Sequence, residues 1–326
     1  ASIYMGVTCG LGFVNSIETI GTGFGNMMAG IGLPIGSGVI LGQLMSDTGA
    51  AKVIARTIVH AVPNKYVLYA VAVAGFILAI PVFFDVTFII LIPIGVAVAR
   101  EVNKPLAYVV GALTIGDGIA QTLVPPTPNP LAAPGILNFD LGTMVIMGLI
   151  IGAIATLISV FVYTKIQDRG IFNEEKDVNK DAEIYVEEDL DELQKVPGFF
   201  VSLLPILIPV FCILIGTGAS AISENVPWIA QFLGNKIVAI MLGTLCAYLI
   251  GFKYLGKNKV ENSANEALKQ AGVVLLITGA GGSFGAVIAA TDIGNALVST
   301  LNINSGSVLK ILFLAYFIGC IFRIAQ

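Results

Sequence analysis

The sequence has 326 residues, of which 56% are hydrophobic and 12% charged, and its mean hydropathy is +0.91. These values lie outside the range of soluble globular domains and predict an all-α protein that crosses a membrane several times. The net charge of −4 says nothing about partners, because residues 164–196 hold eleven of the 21 acidic residues but only five of the 17 basic ones. The rest of the sequence has no basic patch with interleaved aromatic residues, so we expect no nucleic-acid partner.

The first part of the chain is predicted to contain N-terminal membrane helices and then a helix in the membrane interface. Residues 1–46 end in an apolar segment, 27–46, that is long enough to cross a bilayer. In residues 47–65, apolar side chains recur near helical spacing opposite Lys52 and Arg56. That pattern is typical of a helix that lies in the interface.

Residues 66–100 are predicted to form a hairpin of two helical arms. They are apolar except at Pro81, Asp85 and Pro93. A single helix of this length would extend about 50 Å, whereas the hydrocarbon core of a bilayer is about 30 Å thick. We therefore expect the two arms to meet near Phe83, Phe84 and Asp85.

The most informative segment is GDGIAQTLVPPTPNPLAAPGIL at residues 116–137. Its prolines lack an amide donor, so helix is expected to end near Thr122 and to restart near Leu131. Non-helical backbone at membrane depth persists only where it is buried in protein or lines a wet cavity. Residues 105–137 are therefore predicted to be a discontinuous helix, the type of element that forms substrate sites in secondary transporters.

The remaining segments follow from hydropathy and from the distribution of basic residues. Lys and Arg near the membrane ends of the acidic stretch place it on the cytoplasmic side. The predicted elements are a membrane helix (141–163), a charged cytoplasmic loop (164–196), scaffold helices (197–252), and a final group of helices that includes the start of a second hairpin (257–326).

A shift of 245 positions aligns the two halves of the chain. It places Gly36 on Gly281, Asp47 on Asp292 and Lys65 on Lys310. The paired segments have opposite bias in their basic residues, which an inverted repeat predicts. The second copy stops short of its own hairpin tip and broken helix, so we expect that the natural protein extends beyond both ends of this sequence.

Three stretches resemble the gluconate permease (GntP) family of proton symporters, within the broader ion transporter superfamily. They are residues 81–99, residues 116–137 and residues 277–288. The resemblance implies an elevator-type transporter, a homodimer in the prokaryotic inner membrane surrounded by lipid, with re-entrant hairpins and discontinuous helices. This chain departs from the PPHPGP pattern of gluconate-transporting members, because it has PPTPNP at residues 125–130, and it has Asp85 where they carry Glu. These departures put gluconate itself in doubt and leave other small hydroxy or amino monocarboxylates open.

A carboxylate substrate inside a membrane needs hydrogen-bond donors and the positive ends of helix dipoles. If helices restart after Asp85 and after Pro130, two helix N-termini face one cavity. The candidate substrate-binding residues are Phe84, Asp85, Thr87, Gln121, Thr122, Thr127 and Asn129. For Gln121 and Thr122, hydrogen bonds that only serve packing explain the sequence equally well.

Two acidic residues are candidates for proton coupling. Asp85 either caps the helix that begins at Val86 or carries a proton, since burial raises the pKa of a carboxyl group towards the working range. Asp117 is either a proton site or a partner for a backbone amide beside Gly116 and Gly118.

The sequence favours a transporter over an enzyme. It has a single histidine, His60, and no nucleophile in a catalytic motif, so we expect no hydrolase activity, no metal and no cofactor. The predicted function is proton symport of a small organic monocarboxylate, gluconate or another hydroxy acid. The alternative is an ion channel or a sodium/proton exchanger that uses the same intramembrane carboxylates.

Overall fold

The computed structural model describes residues 1–82, 84–102, 104–170, 196–222, 225–291 and 308–324. Within these ranges it does not describe the side chains of Asp85, Pro93, Ala97, Arg100, Glu101, Val308 and residues 321–324. All regular elements in the described ranges are helical. They are α1 (Ser2–Thr8), α2 (Phe13–Asp47), α3 (Ala50–His60), a 3₁₀ turn (Asn64–Tyr66), α4 (Val67–Leu78), α5 (Phe84–Glu101), α6 (Leu106–Leu123), α7 (Pro128–Leu137), α8 (Leu141–Gln167), α9 (Phe199–Ile222), α10 (Trp228–Gly234), α11 (Lys236–Tyr254), α12 (Lys257–Ala290) and α13 (Val308–Ile324).

The helices confirm a polytopic membrane protein. Six spans in the described ranges are long and apolar enough to cross a bilayer, and α6 with α7 counts as one of them. A seventh span is added if α3 and the segment Asn64–Leu78, which meet at a bend of 118°, are counted together. The charged segment that was predicted to be a cytoplasmic loop lies, at residues 171–195, outside the described residues.

The chain divides into two compact units. One consists of residues 1–29 and 276–326, and the other of residues 30–275. In the first unit, the hydroxyl of Ser283 in α12 donates to the carbonyl oxygen of Ile20 in α2, at 2.9 Å, and the ring of Phe24 lies against Gly279. The Gly-rich start of α2 is thus helical and packed.

The second unit contains the main apolar core, in which α4 packs against α3, α5, α6 and α8. Helices α4 and α6 approach each other closely. The Cα of Gly116 lies directly against the backbone of Ala72, so that even a methyl group at this position would overlap the Ala72 carbonyl. A glycine is required here because two helix backbones are in contact.

Helices α6 and α8 are connected near both ends. At the start of α6, Tyr163 donates its hydroxyl to the carbonyl oxygen of Ala107 at 2.8 Å, and Tyr108 donates to Asp168 at 3.2 Å. At the end of α6, Gly148 of α8 lies against the carbonyl group of Leu123. Helix α8 therefore covers the point at which α6 ends.

Helix α3 is amphipathic, as its sequence predicts. Its buried residues include Ile54 and Val59, whereas Arg56, Thr57 and His60 are exposed. The buried face packs against α4, α5 and α9. Whether α3 lies in the membrane interface remains a prediction of the sequence.

Helix α2 is continuous from Phe13 to Asp47, so it begins well before the apolar segment 27–46 that is long enough to cross a bilayer. Helix α12 is continuous from Lys257 to Ala290. The short helix α10 (Trp228–Gly234) was not predicted at all, because seven residues are too few for a clear periodic pattern.

Candidate functional site

The hairpin turn and the proline break meet at one small cavity. Its lining comes from the turn between α4 and α5, from the break between α6 and α7, and from α2. The lining residues are Ile80, Pro81, Val82, Pro126, Thr127, Ile35 and Gly38. We call this the tip–break cavity. Its volume of about 10 Å³ is enough for about one water molecule, so this conformation has no room for an organic substrate.

The break itself begins later and ends earlier than predicted. Helix α6 continues to Leu123, Val124 is extended, and α7 starts at Pro128 rather than near Leu131. The early restart has a simple cause. Proline is well tolerated in the first turn of a helix, where its missing N–H has no intrahelical partner to lose.

Thr127 closes the break. Its side chain is buried, with 5% of its surface exposed, and its hydroxyl lies 2.8 Å from the carbonyl oxygen of Gln121 and 3.0 Å from that of Val124. These carbonyls come from the end of α6, where backbone acceptors lack helical partners. The hydroxyl proton of Thr127 is thus directed at the protein's own backbone, and its oxygen remains able to accept a hydrogen bond.

The N-terminus of α7 offers few donors. Pro128 and Pro130 have no N–H, and the amide of Leu131 donates to the carbonyl oxygen of Thr127 at 3.2 Å. Asn129 lies in the first turn of α7, not in the break as predicted, and its side chain is exposed. Its backbone amide is the donor that remains in this turn for an anion.

The first turn of α5 adjoins the cavity. Helix α5 begins at Phe84, two residues after Val82, and Thr87 is fully buried with its hydroxyl 3.5 Å from the Val82 carbonyl oxygen. Phe84 is half-buried and stacks on Phe88, with ring centroids 5.9 Å apart. The backbone of Asp85 belongs to this turn, whereas its side chain is outside the described residues.

The other candidate residues lie away from the cavity lining. Thr122 is exposed and donates its hydroxyl to the Gly118 carbonyl oxygen at 2.7 Å, and Gln121 is half-buried. Asp117 is fully buried, and its backbone amide lies close to Gly75 at the crossing of α4 and α6. It precedes the end of α6 by six residues, or about 9 Å along the helix axis.

Helix α2 is the part of the site that the sequence did not reveal. Gly38 faces Pro126, and a Cβ on Gly42 would lie 3.0 Å from the carbonyl oxygen of Pro81. The run GSGVILG at residues 36–42 was the available signal, since small residues at helical spacing permit close packing. It did not indicate which segment would pack there.

A second cavity of about 10 Å³ lies behind the tip and is apolar. Pro81, Pro125 and Pro126 line it on one side, and Pro205 and Pro209 of α9 line it on the other. The turn and the break therefore face α9 across an apolar cavity.

Over the described residues, no three His, Cys, Asp or Glu side chains are grouped so that they would hold a metal ion. The four cysteines are free thiols in the structure.

The chain is similar to one family of permeases and to several of its named members. The family described as GntP family permease matches residues 1–326. An uncharacterized permease of Haemophilus influenzae is 30% identical over 319 residues, which cover 92% of this chain and 64% of the relative. A gluconate permease of Pseudomonas aeruginosa is 30% identical over an alignment of 333 residues, which covers 100% of this chain and 72% of the relative. The Gnt-II system L-idonate transporter of Escherichia coli is 24% identical, and the alignment covers 95% of this chain and 69% of the relative. No solved structure matches the chain.

Proposed function

Because this chain belongs to the GntP family of permeases, we propose that it forms the substrate-binding part of a proton symporter for a small organic monocarboxylate. Family membership confirms the resemblance on residues 81–99, 116–137 and 277–288. It identifies an integral protein of the bacterial inner membrane and a transport protein rather than an enzyme. The substrate class follows from relatives named for gluconate and L-idonate, which are both sugar acids.

The tip–break cavity is the observation that carries the proposal. A turn between two helices and a break within a third meet there, with Thr127 and the first turn of α5 beside it. Such convergence of helix ends is typical of substrate sites in secondary transporters. The substrate carboxylate binds at the first turns of α5 and α7, where the dipoles of both helices favour an anion.

Asp85 and Asp117 are the proposed proton carriers. Asp85 occupies the first turn of α5 next to the cavity, and Asp117 is buried where α4 and α6 are in contact. Protonation of a carboxyl group inside the membrane removes the cost of a buried charge, so that a proton and an anionic substrate can cross together as a neutral pair.

Alternating access by an elevator movement accounts for the small volume of the cavity. The substrate site opens when the hairpin and the broken helix move together relative to the scaffold helices. The apolar lining of the cavity between the tip, the break and α9 supports this proposal, since apolar surfaces can slide past one another without exchanging hydrogen bonds.

The proposed inverted repeat is supported by helix lengths. A shift of 245 positions maps α12 (Lys257–Ala290) onto residues 12–45, and α2 spans Phe13–Asp47. The homodimer remains a proposal that rests on the family resemblance.

Uptake into proteoliposomes tests the function. We expect the purified protein to accumulate a labelled hydroxy acid when an inward proton gradient is imposed, and to stop accumulating it when an ionophore collapses that gradient. Uptake that continues unchanged after the gradient is collapsed would reject proton coupling. Ion flux in the absence of any organic acid would instead favour a channel or an exchanger.

A further inference from the structure

The short helix α10, which connects the spans α9 and α11, exposes a continuous apolar face. Trp228, Ile229 and Phe232 are 74%, 53% and 55% exposed, whereas Ala230 is buried. At 3.6 residues per turn, the three exposed side chains fall within an arc of about 100° on one side of the helix, and Ala230 lies on the other side. A helix of seven residues therefore presents three large apolar side chains away from the protein.

The opposite face of α10 packs against α9. A Cβ added to Gly216 of α9 would lie 2.5 Å from the Cα of Gly234 and 3.3 Å from the carbonyl oxygen of Ala230, so the two helix backbones are in direct contact. Gly216 precedes the end of α9, at Ile222, by six residues, or about 9 Å along the helix axis. Helix α10 therefore crosses α9 well before α9 ends.

Charged groups mark this level as one boundary of the membrane. The hydroxyl of Thr217, the residue after Gly216, donates to the carboxylate of Asp140 at 3.0 Å, and Asp140 caps the start of α8. Lys236, two residues after Gly234, begins α11. Helix α11 has 19 residues, or about 28 Å of helix, which matches a hydrocarbon core of about 30 Å. Two spans therefore begin at a charged residue at the level of α10.

A third side of α10 is polar. Gln231 is exposed and projects from the edge of the exposed face that is furthest from Ile229, and its amide donates to the carbonyl oxygen of Val226 at 3.0 Å. One packed side, one apolar side and one polar side are what a helix in the membrane interface requires. Tryptophan is enriched at this depth because its ring is apolar while its N–H can bond to polar groups.

We propose that α10 is an interfacial anchor, which places the side chains of Trp228, Ile229 and Phe232 among the phospholipid headgroups and the adjoining acyl carbons. The anchor holds the neighbouring ends of α9 and α11 at the boundary of the bilayer. The partner of this face is lipid rather than a second copy of the chain, because the face is continuous with two membrane spans and lies at the level where charged residues begin two of them. This role does not depend on the identity of the transported substrate.

Trp228 is the single tryptophan of the sequence, so its fluorescence reports on this face directly. The experiment measures that fluorescence in phosphatidylcholine vesicles brominated either near the headgroup or near the end of the acyl chain, because bromine quenches indole only at short range. We expect about twofold quenching by the bromine near the headgroup and weaker quenching by the bromine near the chain end. Iodide in the water should quench in part, since the headgroup layer is hydrated. Trp228→Phe gives the background signal.

A tryptophan placed deeper in the same unit is the matched control. Phe211 is 57% exposed and lies five residues before Gly216 in α9, which is about 7.5 Å further into the membrane. With Phe211→Trp added to the Trp228→Phe variant, we expect the opposite order, in which the bromine near the chain end quenches more strongly.

Three outcomes would overturn the inference. Quenching of Trp228 by iodide without any quenching by brominated lipid would place the face in water. Protection from both quenchers would show that protein, such as a second copy of the chain, covers it. The same depth order for Trp228 and for Phe211→Trp would place α10 within the hydrocarbon core. The main measurement uses the unsubstituted protein, so it stands even if a control variant does not fold.

Discussion

Among the single residues, Asp85 and Asp117 are proposed as proton carriers for different reasons. Asp85 is assigned by its position, in the first turn of α5 beside the tip–break cavity. Asp117 is assigned by its complete burial within the contact of α4 and α6. A coupling residue needs both a route to the substrate and an environment that makes its charge costly, and the two residues divide these properties between them.

Asp85→Asn should separate exchange from accumulation. An amide cannot release a proton, so the variant is expected to exchange internal for external hydroxy acid but to lose uptake driven by a pH gradient. Counterflow and gradient-driven uptake in the same proteoliposomes measure the two activities. Asp140→Asn, at the start of α8, is the control because asparagine also caps helices well. Accumulation at the unsubstituted rate in Asp85→Asn would show that Asp85 has no part in coupling; a capping role is already excluded, because α5 begins at Phe84 and not at Val86.

Gly116→Ala should destabilise the protein. The added methyl group overlaps the backbone of Ala72, which forces α4 and α6 apart, and overpacking of this kind costs about 1–3 kcal/mol. Thermal unfolding in detergent measures the effect. Gly118→Ala, whose Cβ meets nothing within 4 Å, should be neutral or slightly stabilising because alanine favours helix. Equal unfolding temperatures for the two variants would contradict the close contact.

At the scale of elements, the break is held together by Thr127. Thr127→Val keeps the shape of the side chain but leaves the carbonyl groups of Gln121 and Val124 without this hydroxyl donor. We expect a loss of about 1–3 kcal/mol in stability, because buried acceptors are left unsatisfied. Thr127→Ser, which keeps the hydroxyl, should retain most of the stability of the unsubstituted protein. Thr122→Val, on the exposed face of α6, should change the unfolding temperature little. A stable Thr127→Val would show that water satisfies these carbonyl groups.

Helices α8 and α9 are linked through Asp140. One carboxylate oxygen accepts from the backbone amide of Thr143 at 2.9 Å and from the hydroxyl of Thr217 at 3.0 Å. Asp140→Ala removes the cap and the link together, and a helix cap alone contributes about 1 kcal/mol. Thr217→Val removes only the hydrogen bond between the two helices and should lower the unfolding temperature by less. If both variants unfold at the same temperature, the cap contributes nothing measurable.

The positions of the elements were largely predictable, because proline and hydrophobic length act locally. Pro125 and Pro126 fixed the break, and the length of the apolar segment at 66–100 required it to be divided into α4 and α5. The third wall of the cavity was not predictable, since Gly38 and Ile35 reach the break only through tertiary packing. The hydrogen bonds of Thr127 to the carbonyl groups at the end of α6 were also not predicted. A threonine hydroxyl can bind either a substrate or the backbone, and the sequence does not distinguish the two.

At the scale of the whole molecule, the predicted topology places residues 164–196 in the cytoplasm. The α9 span then places the segment before α10 on the opposite side. Single cysteines introduced in place of Lys180 and of Trp228 test this arrangement. The side chain of Trp228 is 74% exposed. In a background without the native cysteines, an impermeant maleimide should label Trp228→Cys in intact cells and Lys180→Cys only in inverted vesicles. The reverse pattern would invert the membrane orientation and contradict the positive-inside assignment.

The turn between α4 and α5 and the break between α6 and α7 together form the proposed substrate site. The most direct measurement is cross-linking of Val82→Cys to Thr127→Cys with a short bifunctional thiosulfonate, in protein without its native cysteines. We predict that the cross-link forms, that it abolishes hydroxy acid uptake, and that a saturating transported acid slows its formation. A cross-linked protein that transports at full rate, or a cross-linking rate indifferent to the acid, would contradict the account.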